Sequence, residues 1–181
     1  TDEVSCQRII SAVPAIAGVA VLLLCGGLLS GCGGDGRADP ARCGPIVVEQ
    51  IDPNEAHLIG GAAEPDYLTD PPTSGPHIAG LVTKGRVDRP LTDIEQVSTL
   101  ETGAVIIQYD DSAVGGDARE QLRAMAADDV VVAPGRKLPT PVVATGWLRK
   151  MSCTEVDADA LDTFVTTVQG QYDGHSTTTT G

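Results

Sequence analysis

The sequence predicts a small α+β domain in which helices pack on one face of a mixed β-sheet. Three short runs rich in β-branched and other apolar residues are typical of strands: residues 104–109, 130–132 and 141–145. Two amphipathic stretches, residues 117–126 and 157–168, are typical of helices. The order strand, helix, strand, strand, helix favours a compact sheet with its helices on one side.

The strongest predicted strand runs from Ala104 to Tyr109. Its apolar residues are nearly continuous, and it is bounded by Gly103 and by Asp110. A continuous apolar run indicates burial on both faces of the sheet. A shorter apolar run of strand type occurs earlier, at Ile46–Val48.

Both predicted helices carry an apolar face. In residues 117–126, Ala118, Leu122 and Met125 are spaced i, i+4, i+7, and we expect Asp117 to cap the first-turn amides. In the last helix the apolar face consists of Leu161, Phe164, Val165 and Val168. Residues 78–92 contain Gly80, Gly85 and Pro90, so they are predicted to be a loop with at most one short strand.

The charge and composition exclude some classes of function. The 181 residues have a formal net charge of −13, and only 3% are aromatic. An acidic surface repels phosphate, so we expect no nucleic-acid partner. With so few aromatic residues, stacking platforms for bases or sugars are scarce, and the core must be built mainly from aliphatic side chains.

The N-terminal segment has the pattern of a signal peptide at residues 1–31. Ile9 to Ser30 is an uncharged stretch of 22 residues that follows Arg8. Leu29–Cys32 resembles a bacterial lipobox, which implies that the Cys32 thiol receives a diacylglyceryl group, with acyl chains such as palmitate, and that the chain is cut before Cys32. Two or more acyl chains give lasting membrane attachment. The alternative is an uncleaved transmembrane anchor. Either way the domain is expected outside the cytoplasm, on the cell membrane.

The remaining segments follow from composition. Residues 32–44 are predicted to be a Gly-rich tether, residues 45–170 the α+β domain, and residues 171–181, with four consecutive Thr, a disordered tail. His175 lies in that tail and is expected to be exposed to solvent.

The cysteine count predicts one disulfide. Cys6 and Cys25 leave with the leader and Cys32 carries lipid, so Cys43 and Cys153 remain. An even remainder in an oxidising compartment indicates a bridge, here between the start of the domain and the beginning of its last helix. The alternatives are two buried thiols or a metal site, the latter without support from CxxC spacing.

The most unusual stretch is the proline segment, residues 71–77, which reads Pro-Pro-Thr-Ser-Gly-Pro-His. Together with residues 100–105 and with residues 144–147 followed by Cys153, it resembles a bacterial family called domain of unknown function 3105, over roughly residues 43–170. Members of that family are commonly secreted or membrane-anchored. The family's His-x-Leu-Glu-His-Gly pattern appears here without its two histidines, as residues 98–103.

The resemblance implies a metal or polar-ligand site around the proline segment. In this chain the residues left for it are His57, His77 and Glu101, with Asp66 or Asp70 as further candidates. Such a set suits Zn or Cu, and three ligands plus water would be a geometry of catalytic type. Nothing in the sequence requires a cofactor.

The competing interpretation is that the segment is architectural. Prolines fix φ, Gly75 adopts positive φ, Thr73 or Ser74 caps amides, His77 bonds a buried carbonyl, and Glu101 satisfies loop amides. A third reading pairs Ser74 with His77 as a nucleophile and its base, although triads are recognised by geometry rather than by sequence proximity. We therefore expect a membrane-anchored binding or envelope-structural module rather than an enzyme. Metal binding is the alternative, and Ser74 is a further candidate ligand residue.

Overall fold

The computed structural model describes residues 41–171. The predicted leader, Cys32, most of the tether and the tail with His175 lie outside the described residues, so the expectations made for them stay predictions. Within residues 41–171 no helix is both long enough and apolar enough to cross a membrane.

The centre of the domain is a five-stranded mixed sheet with the strand order β1-β5-β4-β2-β3. Its strands are β1 (Val47–Val48), β2 (Val105–Tyr109), β3 (Val130–Pro134), β4 (Val142–Gly146) and β5 (Arg149–Cys153). β2 pairs with β3 in parallel, and every other neighbouring pair is antiparallel. All five residues of β2 are buried, which confirms the burial that its continuous apolar sequence predicts.

Three helices complete the α+β fold: α1 (Asp93–Leu100), α2 (Gly116–Ala124) and α3 (Ala158–Val168). α2 and α3 cover one face of the sheet, where Leu122, Leu161 and Phe164 pack in the larger apolar cluster. The predicted class is confirmed, but the helices are not confined to that face. α1 packs on the opposite face, in a second cluster that contains Val97, Leu100 and Trp147.

Helix α1 is not among the predicted elements, and its start is set by a capping box. The Thr92 hydroxyl accepts from the N–H of Glu95 at 3.2 Å, while the Thr92 N–H donates to the Glu95 carboxylate at 2.9 Å. Its buried residues include Ile94, Val97 and Leu100. With only eight residues, the helix offers too short a periodic pattern to stand out against the preceding loop.

Strand β5 was also not predicted, because its sequence is largely polar. It pairs with β4 through a turn at Leu148, a non-glycine residue with φ of 55°. Within β5, Lys150 is buried and its Nζ lies 3.2 Å from the Glu49 carboxylate. Cys153 therefore ends a strand, and the expectation that it begins the last helix is wrong.

The predicted disulfide between Cys43 and Cys153 is present, with the sulfur atoms 2.05 Å apart and 110 residues separating the two cysteines. It attaches the start of the described chain to the end of β5. The neighbouring backbone is paired as well, since the Gly44 N–H donates to Ser152 O at 2.9 Å and the Thr154 N–H to Arg42 O at 2.8 Å.

The two helices that the sequence predicts, α2 and α3, begin differently. The N-cap of α2 is Gly115, which has no side chain to accept a hydrogen bond, so the expectation that Asp117 caps the helix is wrong; Asp117 lies in the first turn. In α3, Asp157 does cap the helix, with its Oδ1 accepting from the Ala160 N–H at 3.1 Å.

Candidate metal centre

The proline segment, residues 71–77, is buried along its whole length. It lies beside the sheet face that carries α1, and hydrogen bonds hold it on several sides. Thr73 O accepts from the Leu148 N–H at 3.0 Å, and Ser74 Oγ accepts from the Asp52 N–H at 2.9 Å. The Tyr67 hydroxyl donates to Pro76 O at 2.7 Å. These contacts agree with the architectural role expected for the segment.

Gly75 is required by both its conformation and its surroundings. Its φ of 129° is one that residues with a side chain rarely adopt. A Cβ atom at this position would lie 2.9 Å from Tyr67 Cδ1 and 3.1 Å from Asp52 Oδ2. Gly75 therefore lets the chain pass between Tyr67 and Asp52, and its carbonyl oxygen lies within hydrogen-bond distance of the His77 ring.

His77 is held by its backbone and by one nitrogen of its ring. Its N–H donates to Ala56 O at 3.1 Å, and its carbonyl accepts from the Leu58 N–H at 2.7 Å. These two bonds form a parallel bridge that sets His57 directly beside His77. The ring centroids of the two histidines are 4.7 Å apart, with an interplanar angle of 70°.

Glu101 reaches the same place from α1, where it is the C-cap residue. The turn that follows is closed by Gly103, with φ of 81°, whose N–H donates to Leu100 O at 2.9 Å. The Glu101 side chain is 7% exposed. Helix α1, missed at the level of sequence, is therefore the element that positions one of the three predicted ligands.

The three residues that the sequence singled out do converge. Glu101 Oε1 lies 3.2 Å from His77 Nε2 and 3.8 Å from His57 Nε2. One ligand atom from each residue can be chosen so that all three lie within 4.8 Å of one another. Among the described residues, no other group of three His, Cys, Asp or Glu side chains is this compact.

The hydrogen bonding of His77 fixes which of its nitrogens faces the cluster. Nδ1 lies 2.9 Å from Gly75 O. A carbonyl only accepts, so Nδ1 carries the proton, and the neutral ring presents a lone pair at Nε2. That Nε2 is buried, and its contact with Glu101 does not have hydrogen-bond geometry. A lone pair on Nε2 and an ionised carboxylate oxygen at 3.2 Å repel each other unless a proton or a metal ion is shared between them.

The donor set and its spacing fit a transition-metal ion. Zn²⁺ binds imidazole nitrogen and carboxylate oxygen at about 2.0–2.2 Å, so tetrahedral ligand atoms are about 3.3–3.6 Å apart. The two distances of 3.2 and 3.8 Å from Glu101 bracket that value. The bond from His77 Nδ1 to Gly75 O is the kind of outer contact that orients a metal-binding histidine.

The other candidates do not join the group. Ser74 Oγ accepts a hydrogen bond from the Asp52 N–H, and Asp66 and Asp70 are not members of the three-residue cluster. The pairing of Ser74 with His77 as a nucleophile and base is not supported, because the two ring nitrogens of His77 face Gly75 O and Glu101.

Sequence reasoning missed two neighbours of the cluster. Trp147 is 6% exposed, and its ring centroid is 6.1 Å from that of His77, edge to face. Ser98, at a position where the resembled pattern has histidine, accepts from the Ile78 N–H at 2.9 Å and so ties α1 to the residue after His77. The capping box at Thr92 is the sequence signal that could have predicted α1, the helix that carries Ser98.

Comparison with known proteins agrees with the resemblance. Residues 62–180 match the family described as "Protein of unknown function (DUF3105)". The chain belongs to this family. His57 lies before the matched residues, whereas His77 and Glu101 lie within them. No curated protein and no solved structure matches the chain.

Proposed function

We propose that this member of the DUF3105 family binds one transition-metal ion, Zn²⁺ or Cu²⁺, through His57, His77 and Glu101. The observation that carries the proposal is the buried Nε2 of His77, whose lone pair faces the Glu101 carboxylate at 3.2 Å, with His57 Nε2 beside the same oxygen. An ion bound to all three would replace this repulsion with coordination bonds.

The exposure of the ligands suggests how the ion is reached. The side chains of His77 and Glu101 are 5% and 7% exposed, whereas that of His57 is 54% exposed. Two ligands are thus preorganised and one lies at the surface. Three protein ligands leave a fourth tetrahedral position for water or for a donor from another molecule. This favours a binding module that captures or passes on a metal ion.

The competing role is structural: a protonated His77 would form an ion pair with Glu101 that fastens the proline segment to α1. In that case the protein would not bind a metal ion stoichiometrically. The two roles are therefore separated by metal titration rather than by stability measurements, since both predict that loss of His77 destabilises the domain.

The metal experiment uses the full chain in detergent micelles after treatment with EDTA. Zn²⁺ binding is followed by calorimetry, and Cu²⁺ binding by quenching of Trp147, the only tryptophan in the chain. We expect one equivalent of ion and strong quenching, because the indole lies 6.1 Å from the His77 ring. Co²⁺ provides an optical spectrum that reports tetrahedral coordination.

The chain contains its own matched control, because it has three histidines. His57→Ala removes an exposed side chain and should weaken binding by about 10-fold or more, the scale expected for loss of one of three ligands. Glu101→Gln keeps the size of the side chain and should also weaken binding. His175→Ala, in the tail, should bind as the unchanged chain does. Absence of a stoichiometric ion, or equal binding by all three variants, would contradict the proposal.

We further propose that the domain is held at the outer face of the cell membrane by lipid on Cys32. The support is the sequence alone: the uncharged stretch of residues 9–30 and the lipobox-like Leu29–Cys32. Mass spectrometry of the mature N-terminus tests it. An acylated N-terminal Cys32 is expected, and an unmodified Cys32 within a longer chain would contradict it.

A further inference from the structure

A second site is indicated by a cleft on the face of the sheet that carries α1. The cleft has a volume of about 230 Å³ and is bounded by the start of α1, by the end of β3 and by the beginning of the proline segment. It is smaller than the pockets of about 300–1,000 Å³ that hold drug-sized molecules, so its ligand would be a small metabolite. None of His57, His77 and Glu101 lines it.

Two buried glutamines contribute unused polar atoms to the cleft. Gln108, in the middle of the sheet on β2, is 2% exposed, and Gln96, on α1, is 4% exposed. The Oε1 atom of each is buried and has no hydrogen-bond partner. The Gln96 Nε2 donates to Asp93 Oδ1 at 3.1 Å, which leaves its Oε1 as an acceptor. Two buried amide oxygens without partners carry a desolvation penalty that a donor on a ligand would remove.

The charged residues of the cleft divide into two groups. Glu64, Asp70 and Asp93 supply carboxylates, and Arg136 and Lys137 supply cations. The pKa of Asp93 is raised, first by burial and then by the charges of Glu64 and Asp70, against the opposing charge of Arg136. Arg136 and Lys137 are exposed and form no ion pair within the described part of the chain. The cleft thus presents acceptors for a cationic group and donors for an anionic group.

We propose that this cleft binds a free α-amino acid, with its ammonium group donating to Gln96, Gln108 and Asp93 and its carboxylate held by Arg136 and Lys137. An ammonium group supplies three donors, which matches the number of acceptors that Gln96, Gln108 and Asp93 bring to the lining of the cleft. A guanidinium can pair with a carboxylate through two parallel hydrogen bonds.

A metal ion does not explain these residues equally well. The three carboxylates of the cleft do not form a compact group, since the one compact group among the described residues is the His57 cluster. One oxygen of Glu64 is already used, because it accepts from the N–H groups of Asp93 and Ile94 at 2.6 and 3.2 Å and so caps α1. A spatially extended ligand with two opposite charges fits the arrangement better than a single ion.

The test titrates the full chain, in micelles and with EDTA present, with each of the twenty common L-amino acids up to about 10 mM, which detects millimolar dissociation constants. Butylamine and propionate serve as probes with one charged group each. Nuclear magnetic resonance follows the side-chain amide of Gln108, which is identified by its absence in Gln108→Met. We expect saturable binding of at least one amino acid, with a shift of that amide signal, and binding of the two single-charge probes at least about tenfold weaker.

The variants give the matched comparison. Gln108→Met replaces a buried side chain whose Oε1 has no hydrogen-bond partner by one of similar size, and it should weaken amino-acid binding about tenfold or more. Arg136→Gln should weaken binding as well. Gln121→Met, at an exposed position on α2, should leave binding unchanged. The inference is overturned if no amino acid binds, if a single-charge probe binds equally well, or if Gln108→Met and Gln121→Met behave alike. His57→Ala should retain amino-acid binding, so failure of the metal proposal and failure of this one are separable.

Discussion

Substitution of Gly75 by alanine tests whether the proline segment builds the metal centre. The backbone at Gly75 has a φ of 129°, and a Cβ there would lie 2.9 Å from Tyr67 Cδ1 and 3.1 Å from Asp52 Oδ2. The variant must therefore distort both the backbone and two neighbouring side chains. Because Gly75 O accepts from His77 Nδ1, the distortion reaches the imidazole that faces Glu101.

The expected loss of stability is the sum of two contributions. A residue with a Cβ in the left-handed half of φ space costs about 1–2 kcal/mol. Crowding in a well-packed region costs about 1–3 kcal/mol more. We therefore expect Gly75→Ala to lower the free energy of unfolding by about 2–5 kcal/mol, a large share of the roughly 5–15 kcal/mol of an ordinary domain.

Two other glycines separate these contributions. Gly80 also has positive φ, at 78°, but a Cβ there meets nothing within 4 Å, so Gly80→Ala should show the backbone cost alone. Gly60 has neither constraint, and Gly60→Ala should be neutral or stabilising by up to about 1 kcal/mol. Urea unfolding measures all three variants, and metal titration should show weakened binding for Gly75→Ala only. If Gly75→Ala destabilises no more than Gly80→Ala, the close packing described for the segment is incorrect.

Three further predictions concern the bridge and the start of α1. Replacing both Cys43 and Cys153 by serine should cost about 5 kcal/mol in the chain-entropy relation, since the bridge closes a loop of 110 residues; urea unfolding that changes by less than about 1 kcal/mol would argue against it. Thr92→Ala removes one half of the capping box and should cost about 1 kcal/mol in the same assay, whereas Thr92→Ser should be nearly neutral. Asp93 has a raised pKa, caused first by burial, so its contribution to stability is fully present below its unfolded pKa, near 4, and is lost as pH rises through the folded value. Asp93→Asn should remove that loss, and unfolding curves of the variant and the unchanged chain that stay parallel from acid to neutral pH would contradict the assignment.

The elements that the sequence predicted are those whose signal is local. Strands β2, β3 and β4 are short apolar runs, and α3 has an apolar face with a capping aspartate, Asp157. The two elements that were missed depend on context. Helix α1 has only eight residues and packs against the sheet, and β5 is a polar strand that follows a turn at Leu148, where φ is positive without a glycine. Pairing with β4 and β1, rather than its own composition, makes β5 a strand.

The candidate site shows the same division. His57, His77 and Glu101 were named from residue type and from a resemblance, and they are 20 and 24 residues apart along the chain. No local sequence pattern predicts that these three side chains lie close together. The bridge between His57 and His77 and the position of Glu101 at the end of α1 bring them together. The cleft at Gln96 and Gln108 gave no signal at all, because two glutamines in a sequence do not reveal that both are buried without partners for their amide oxygens.

The sequence alone was enough to predict the α+β class, the pairing of Cys43 with Cys153 and the resemblance to the DUF3105 family, because periodicity, cysteine count and motif are properties of the chain itself. Only the tertiary structure decided that α1 lies across the sheet from α2 and α3, and that the proline segment presents His77 to Glu101. The physical reason is that ligand geometry and unsatisfied buried groups arise from contacts between distant segments. Segment 71–77 is conspicuous in the sequence. Its ability to bind a ligand through His77, however, depends on the φ of Gly75 and on helix α1, which lies elsewhere in the chain and supplies Glu101.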